Sequence, residues 1–154
     1  MPSLVEQLGK EPLRAQVVSD CVDLVDAQVK QKGFVIKSAY ATIKAIKKRF
    51  VPEVIDGLLD EWLNKIQPHY DKWAATKPSG FADYVIARSE DVAEDLLSVT
   101  DARAQKTTHT TAKKMYGRMR DTAKRNVVEA IPELSRLIER HLAAAPQQPT
   151  ATAT

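Results

Sequence analysis

Residues 51–66 read VPEVIDGLLDEWLNKI, and the apolar side chains in this stretch recur at helical spacing. The apolar positions are Val54, Ile55, Leu58, Leu59, Trp62, Leu63 and Ile66. An α-helix has 3.6 residues per turn, so this spacing places all of them on one face. Pro52 suits the first turn of a helix, and Glu53 and Asp56 near the start favour the helix dipole. The stretch therefore predicts an amphipathic helix with one buried face.

The same spacing continues on both sides of this stretch. It predicts further helices at about residues 12–32, 34–49, 81–104 and 112–130, a short helix from Pro68 and a last helix from Pro132. Gly33 is placed to end the first of these helices in the left-handed conformation. No window alternates with the period of two that is typical of a strand. The sequence therefore predicts an all-α fold.

Chain length and composition favour one domain. A chain of 154 residues with 44% hydrophobic residues can bury roughly 70% of its unfolded surface. We expect residues 10–144 to form a single-domain bundle of about six amphipathic helices, after an N-terminal lead at residues 1–9. Residues 146–154 read PQQPTATAT, a polar stretch without apolar anchors, so we expect residues 145–154 to form a disordered tail.

Cysteine content and the N-terminal sequence indicate the compartment. Cys21 is the only cysteine, so the chain forms no internal disulfide. The first nine residues have neither the basic lead nor the long apolar run of a signal peptide. No stretch approaches the roughly 18 consecutive apolar residues of a spanning helix. We therefore expect a cytoplasmic protein without a membrane span.

Charged residues are segregated along the chain. Residues 30–49 carry seven basic side chains and no acid, and residues 103–125 carry eight bases against Asp121. Such helix faces could bind nucleic acid or another polyanion without reading its sequence, because lysine and arginine suffice to contact phosphates. The residues that would make this contact are Lys37, Lys44, Lys48, Lys114, Arg118 and Arg125. Alternatively, the basic faces pair weakly with the acidic helices between them, as ordinary charged surfaces do.

Motifs for catalysis and cofactor binding are missing from the sequence. The chain has no G-x-S-x-G, no phosphate-binding loop and no G-x-G-x-x-G. Asp20, Asp23 and Asp26 share one helix edge, but a solvated face explains them better than a metal site, since no loop adds ligands. Cys21 lies on an apolar face, which favours a small core residue over a nucleophile. We expect no enzyme activity, no metal and no cofactor.

Aromatic residues are concentrated in the middle of the chain. They are Trp62, Tyr70, Trp73, Phe81 and Tyr84. Their helical spacing favours packing in the core. An apolar ligand pocket or a dimer contact is the alternative, because aromatic side chains also line such sites.

Two segments of the chain resemble each other. Residues 51–54 read VPEV and residues 131–134 read IPEL, and each follows a basic helix that contains a tyrosine, Tyr40 or Tyr116. The tyrosine-to-proline spacings differ, however, and a Pro-Glu helix start is common. The pattern is compatible with a twofold internal similarity and also with chance.

Three segments resemble a known family. They read GKEPLR with QVVSDC at residues 9–14 and 16–21, PEVIDGLL at residues 52–59 and DYVIARS at residues 83–89. Together they are similar to a family of small bacterial helical proteins, catalogued as a domain of unknown function, over about residues 4–142. The resemblance implies an all-helical fold and a bacterial origin, and it supplies no catalytic residue.

Three functions follow as hypotheses. We favour a non-catalytic protein-interaction module, alone or as a homo-oligomer, because chemical motifs are missing and amphipathic helices are abundant. Sequence-independent polyanion binding through the six basic residues is the second hypothesis. The third is an apolar-ligand carrier that uses the region from Trp62 to Tyr84.

Overall fold

The computed structural model describes residues 2–46 and 49–144, and within this part the chain is helical without any strand. Seven helices form there: α1 (Leu4–Leu8), α2 (Leu13–Lys30), α3 (Phe34–Ile46), α4 (Phe50–Thr76), α5 (Phe81–Ile86), α6 (Ser89–Lys106) and α7 (Thr110–Ala144). The predicted all-α bundle is confirmed. The predicted tail at residues 145–154 lies outside the described residues.

Two helices are longer than the sequence predicted, because each runs through a proline. Pro68 lies inside α4 and Pro132 lies inside α7, where we expected new helices to begin. A proline in a helix interior costs about 3 kcal/mol through its lost hydrogen bond and its ring. Buried side chains flank both prolines: Ile66 and Tyr70 in α4, and Ile131 and Ser135 in α7. Tertiary burial of the helix face on both sides offsets the local cost.

Helix ends also differ from the prediction at Gly33. The α2 helix ends at Lys30, and its capping residue Gln31 has φ −87°, so the expected left-handed glycine is wrong. Among the described residues no glycine has a positive φ, and Lys77, at φ 45°, adopts the left-handed conformation after α4.

A dense core occupies one end of the bundle, which we call the packed end. It consists of α1, α5, the first half of α6, residues 59–76 of α4 and residues 131–144 of α7. Its most buried side chains are Leu4, Leu8, Phe81, Val92, Ala93 and Ile131. The α1 helix packs on α2, α4 and α7, and Ser3 and Glu6 cap its start reciprocally. The expected boundary after residue 9 is therefore wrong, since Leu4 and Leu8 are core residues.

The two halves of the chain begin with the same order of helices and share a backbone contact. In each half a short helix, α1 or α5, precedes an 18-residue helix, α2 or α6. The backbone N–H of Leu4 donates to Gln67 Oε1 of α4 at 2.6 Å, and that of Ala82 donates to Glu139 Oε2 of α7 at 3.0 Å. Each short helix is thus tied at its start to the long helix of its own half.

A second repeated contact joins the halves to each other. His69 Nε2 of α4 lies 2.7 Å from Asp95 Oδ2 of α6, and His141 Nε2 of α7 lies 2.7 Å from Asp20 Oδ2 of α2. The similar sequence segments at residues 51–54 and 131–134 do not occupy equivalent positions in the two halves. Pro52 lies at the start of α4, whereas Pro132 lies in the middle of α7.

Candidate functional site

A large apolar cavity lies beside the packed end, between α2, α3, α4, α6 and α7, and packed-end residues such as Leu8, Leu63 and Ile138 form part of its lining. Its volume is about 710 Å³. Most lining side chains are aliphatic or aromatic, or are methionines; they include Val25, Val29, Ile36, Ile43, Val54, Leu58, Trp62, Met115, Met119 and Val127. Along α2 the lining extends from Val17 to Val29, which corresponds to about 18 Å of helix, and Lys32 beyond the helix end adds to it. The cavity is therefore long as well as large.

Small side chains on the inward helix faces account for this volume. Five alanines line the cavity: Ala39, Ala104, Ala112, Ala123 and Ala130. The packed end has leucine, isoleucine, valine and aromatic residues on most of its inward positions. The α3 helix packs on α2 and α4, and its lining residues Ile36 and Ile43 are only half-buried. The helices thus surround the cavity without filling it and leave it partly open to solvent.

One wall of the cavity is held by a tyrosine–aspartate pair between α2 and α3. The Tyr40 hydroxyl donates to Asp26 Oδ1 at 2.5 Å. Lys44 Nζ lies 3.8 Å from the same carboxylate oxygen and 5.1 Å from the centre of the Tyr40 ring. Burial raises the pKa of Tyr40 above its usual range, and the Asp26 carboxylate raises it further. Tyr40 therefore stays a neutral hydrogen-bond donor that fixes α3 to α2.

The opposite wall carries the same arrangement between α6 and α7. The Tyr116 hydroxyl donates to Asp101 Oδ1 at 2.5 Å and lies 2.8 Å from Thr100 Oγ1. Arg120 Nε donates to the same Asp101 oxygen at 2.8 Å and holds the pKa of that carboxyl below its usual range. Burial and then Asp101 raise the pKa of Tyr116 to about 12. The cavity thus lies between two matching helical hairpins, α2–α3 and α6–α7.

Charged side chains of the lining include three cations. Lys32 Nζ lies 3.2 Å from Glu129 Oε2, and Lys113 Nζ lies 3.5 Å from the Gln105 carbonyl oxygen. The third cation is Arg103, on the last turns of α6. The lining also contains one acidic residue, Glu53, among the described residues.

A smaller cavity of about 340 Å³ adjoins the large one. Both are lined by Ile43, Phe50, His109 and Ala112, so the two volumes share a wall. Phe50 and His109 meet edge to face, with ring centres 6.2 Å apart. The added volume lies beside the segment that joins α6 to α7, which contributes Thr108.

Cys21 lines the cavity instead of lying wholly in the core. Its side chain is half-buried and packs against the core cluster. Burial, with a smaller contribution from the Asp20 charge, raises the pKa of the Cys21 thiol to about 11. A thiol with that pKa is almost fully protonated near neutral pH, so Cys21 is poorly suited to nucleophilic chemistry.

The predicted aromatic group divides between core and cavity. Tyr70, Trp73 and Phe81 pack on one another at the packed end, with ring centres 5.4–5.6 Å apart. Tyr84 is also buried there, with the Arg88 guanidinium 3.6 Å from its ring centre. Of these five aromatic residues, Trp62 alone lines the cavity. Sequence analysis therefore missed the cavity wall, for which the inward alanines were the available signal.

The predicted basic residues are spread over two helices on different sides of the cavity. Lys37 on α3 and Lys114 and Arg118 on α7 are exposed. Lys44 lies beside Asp26, and Arg125 donates to Thr122 Oγ1 at 3.4 Å. Lys48 lies outside the described residues.

Other basic residues pair with acids on neighbouring helices. Lys124 Nζ lies 3.0 Å from Glu94, which Arg120 also approaches at 3.5 Å. Arg14 of α2 contacts both Asp56 and Asp60 of α4, at 2.9 and 2.7 Å. Charge segregation along the sequence is thus partly compensated between helices, and a polyanion contact stays a prediction.

Metal-binding and membrane-spanning features were sought in residues 2–46 and 49–144. That part of the chain contains no group of three His, Cys, Asp or Glu side chains placed to hold a metal ion. Asp20 and Asp26 of the predicted acidic strip bond to His141 and Tyr40, and Asp23 is exposed. None of the helices in this part has the length and apolar composition needed to cross a membrane.

Comparison with known proteins yields one match. The model of a family of unknown function, DUF6918, matches residues 4–142. Neither the curated proteins nor the solved structures contain a match to the chain.

Proposed function

Because this chain belongs to a family of unknown function, we propose a function from its own geometry: the protein binds an elongated apolar molecule in the cavity between the α2–α3 and α6–α7 hairpins. The observation that carries this proposal is the cavity itself. Its volume of about 710 Å³ falls within the range of about 300–1,000 Å³ that is usual for small-molecule sites. Its lining is mainly apolar with few polar groups, which is also typical of such sites.

Energetics support a bound ligand. The cavity is partly open to solvent, so its apolar lining is in contact with water. Removing apolar surface from water contributes about 25 cal/mol per Å², so a ligand that covers this lining gains free energy from burial. Water fills such a volume poorly, since each buried water needs two to four polar partners. An apolar ligand, which contacts the lining without needing hydrogen bonds, fits this surface best.

The length of the cavity restricts the shape of the ligand. The lining extends along α2 from Val17 to Val29 and along α4 from Phe50 to Ile66. A site of this length suits a chain-like molecule better than a compact one. Burial holds two of the groups on its walls protonated, Cys21 with a pKa of about 11 and Tyr116 with a pKa of about 12. These properties favour binding without catalysis.

Binding of uncharged alkyl chains tests the proposal. We expect isothermal titration of the purified protein with n-octanol, n-decanol and n-dodecanol to give affinities that rise about fourfold per methylene, because each buried methylene contributes about 0.8 kcal/mol. Saturable binding that strengthens with chain length is the expected result. A folded protein that binds none of the three alcohols would overturn the proposal.

A matched pair of variants locates the binding site. Ala39 of α3 lines the cavity, whereas Ala41 of the same helix is exposed and outside the lining. We expect Ala39→Phe to fill part of the cavity and abolish alcohol binding. Ala41→Phe adds the same side chain outside the cavity and should leave the affinity unchanged. Equal effects of the two variants would place the binding site elsewhere.

The predicted protein-interaction role stays a second candidate. Its support is an exposed apolar pair at the start of α3, Phe34 at 84% and Val35 at 70% exposure. A ligand on the cavity side of α3 and a partner on its exposed residues would not compete for the same surface, so the two roles are compatible. The cytoplasmic location and the bacterial origin also remain predictions.

A further inference from the structure

We propose, on the basis of the proposed ligand site, that the bound molecule is a long-chain carboxylate whose head group is held by Arg103. The cavity lining in the described residues has more basic than acidic side chains: Lys32, Arg103 and Lys113 against Glu53. A fatty carboxylate has one alkyl chain for the apolar length of the cavity and one negative charge for its basic border.

Arg103 is the best placed of the three cations to receive this charge. Lys32 already pairs with Glu129 at 3.2 Å, and Lys113 donates to the Gln105 carbonyl. Among residues 2–46 and 49–144, Arg103 has neither a hydrogen bond nor an ion pair, although its side chain borders the cavity. A guanidinium group presents two parallel N–H donors that match a carboxylate, which gives stronger and more directional binding than an ammonium group.

Comparison of the two hairpins supports the same residue. Asp26 and Asp101 hold the tyrosines of the two walls, and the residue two positions after each aspartate lines the cavity. That residue is Gln28 on α2 and Arg103 on α6. The two walls are alike in their tyrosine–aspartate pairs and differ in charge at this position, so the head group belongs on the α6–α7 side.

Polar residues beside Arg103 agree with this orientation. Thr100, one turn before it on α6, and Thr107, which directly follows the end of α6, also line the cavity. The corresponding wall on α2 carries Val25 in the turn before Gln28. A carboxylate at Arg103 therefore lies near hydroxyl groups, and the alkyl chain extends toward Trp62 and the aliphatic residues.

Three ligands of equal chain length test the head-group preference. We expect the protein to bind dodecanoate about tenfold more tightly than n-dodecanol, because hydrogen bonds to a charged group are worth more than neutral ones. Dodecylammonium should bind most weakly, since Arg103 repels its charge. The advantage of dodecanoate should shrink as salt is added, because Arg103 is exposed to solvent.

Two variants separate this inference from the proposed function. In Arg103→Gln we expect the preference for dodecanoate over n-dodecanol to disappear, while n-dodecanol still binds because the apolar lining is intact. Lys106→Gln removes an equal charge from the same helix, outside the lining, and should change neither affinity. Equal binding of dodecanoate and n-dodecanol to the unmodified protein, or an equal dodecanoate loss in both variants, would overturn the carboxylate inference alone. Failure of all three ligands to bind would overturn the proposed function as well.

Discussion

The packed end and the cavity share the helices α4, α6 and α7 but differ in what covers them. At the packed end, α1 and α5 lie across the long helices, and Leu4, Val92 and Ile131 are at most 1% exposed. At the cavity, the inward residues Ile43 and Met119 are only half-buried. Apolar helix faces are thus present at both ends, and a close-packed core forms where short helices cover them. This difference in packing is consistent with the proposal that the cavity binds a ligand while the packed end stabilises the fold.

The largest expected effect is a difference in stability between matched truncations at the two ends. We expect Ile131→Ala to lower the free energy of unfolding by about 3 kcal/mol, since deleting a fully buried isoleucine leaves a cavity. Ile43→Ala should cost less than about 1 kcal/mol, because that side chain is half-buried beside existing free volume. Urea unfolding followed by circular dichroism measures both. Equal losses would contradict the division into a packed end and a cavity.

Ligand should stabilise the protein through the cavity. At a free ligand concentration 100 times the dissociation constant, the unmodified protein should gain about 2.7 kcal/mol of unfolding free energy. The same ligand concentration should leave the unfolding free energy of Ala39→Phe unchanged, because the phenylalanine fills the cavity. It should still raise the unfolding free energy of Ala41→Phe. Thermal unfolding with and without n-dodecanol measures this. A gain in Ala39→Phe as large as in the unmodified protein would refute the location of the site.

The two tyrosine–aspartate pairs should differ in strength. We expect Asp101→Asn to cost about 1.5 kcal/mol and Asp26→Asn about half as much, because Arg120 bonds closely to Asp101 whereas Lys44 lies 3.8 Å from Asp26. The measurement is urea unfolding near neutral pH. A larger loss for Asp26→Asn would reverse this ranking.

Acid titration tests the same pair independently. Arg120 holds the pKa of Asp101 below its ordinary value of 3.8. The Asp101 contribution is therefore fully present above that value and is lost as the pH falls through the lower pKa of the folded state. The difference in stability between the unmodified protein and Asp101→Asn should shrink as the pH falls below about 4. A constant difference down to pH values near 2 would contradict this assignment.

The smallest expected effect is a change in the reaction rate of the Cys21 thiol, with no change in stability. With a pKa of about 11, Cys21 should react with iodoacetamide at pH 8 roughly a hundredfold more slowly than a free thiol. The rate should rise about tenfold per pH unit toward that pKa. Bound n-dodecanol should slow it further, because Cys21 lines the cavity. Mass spectrometry counts the modified fraction, and a free-thiol rate at pH 8 would contradict burial of Cys21.

Sequence patterns identified most helices but placed several of their ends wrongly. Periodicity at residues 51–66 correctly predicted a helix, since hydrophobic spacing is a local property of the chain. Pro68 and Pro132 were expected to start helices, and both lie inside one, because burial of neighbouring turns outweighs the local cost of proline. Residues 1–9 were expected outside the bundle, although Leu4 is fully buried. A five-residue helix has too few apolar positions to show periodicity.

The candidate site depended even more on tertiary structure. Aromatic clustering pointed to residues 62–84, yet Tyr70, Trp73 and Phe81 pack together in the core. The sequence correctly showed which helix faces are basic. It did not show which acidic residues they pair with, because ion pairs such as Asp101–Arg120 join different helices. Cavity volume depends on the distances between five helices, and no local pattern encodes those distances.

What the sequence alone determined is therefore the helical class and the faces that each helix buries, because both follow from residue spacing within a few turns. Only the tertiary structure decided that α1 and α5 close one end, that Asp26 and Asp101 hold matching tyrosines, and that Arg103 borders an apolar cavity. These features arise from contacts between residues far apart in the chain. Small inward alanines leave a volume only after the helices around them are in place.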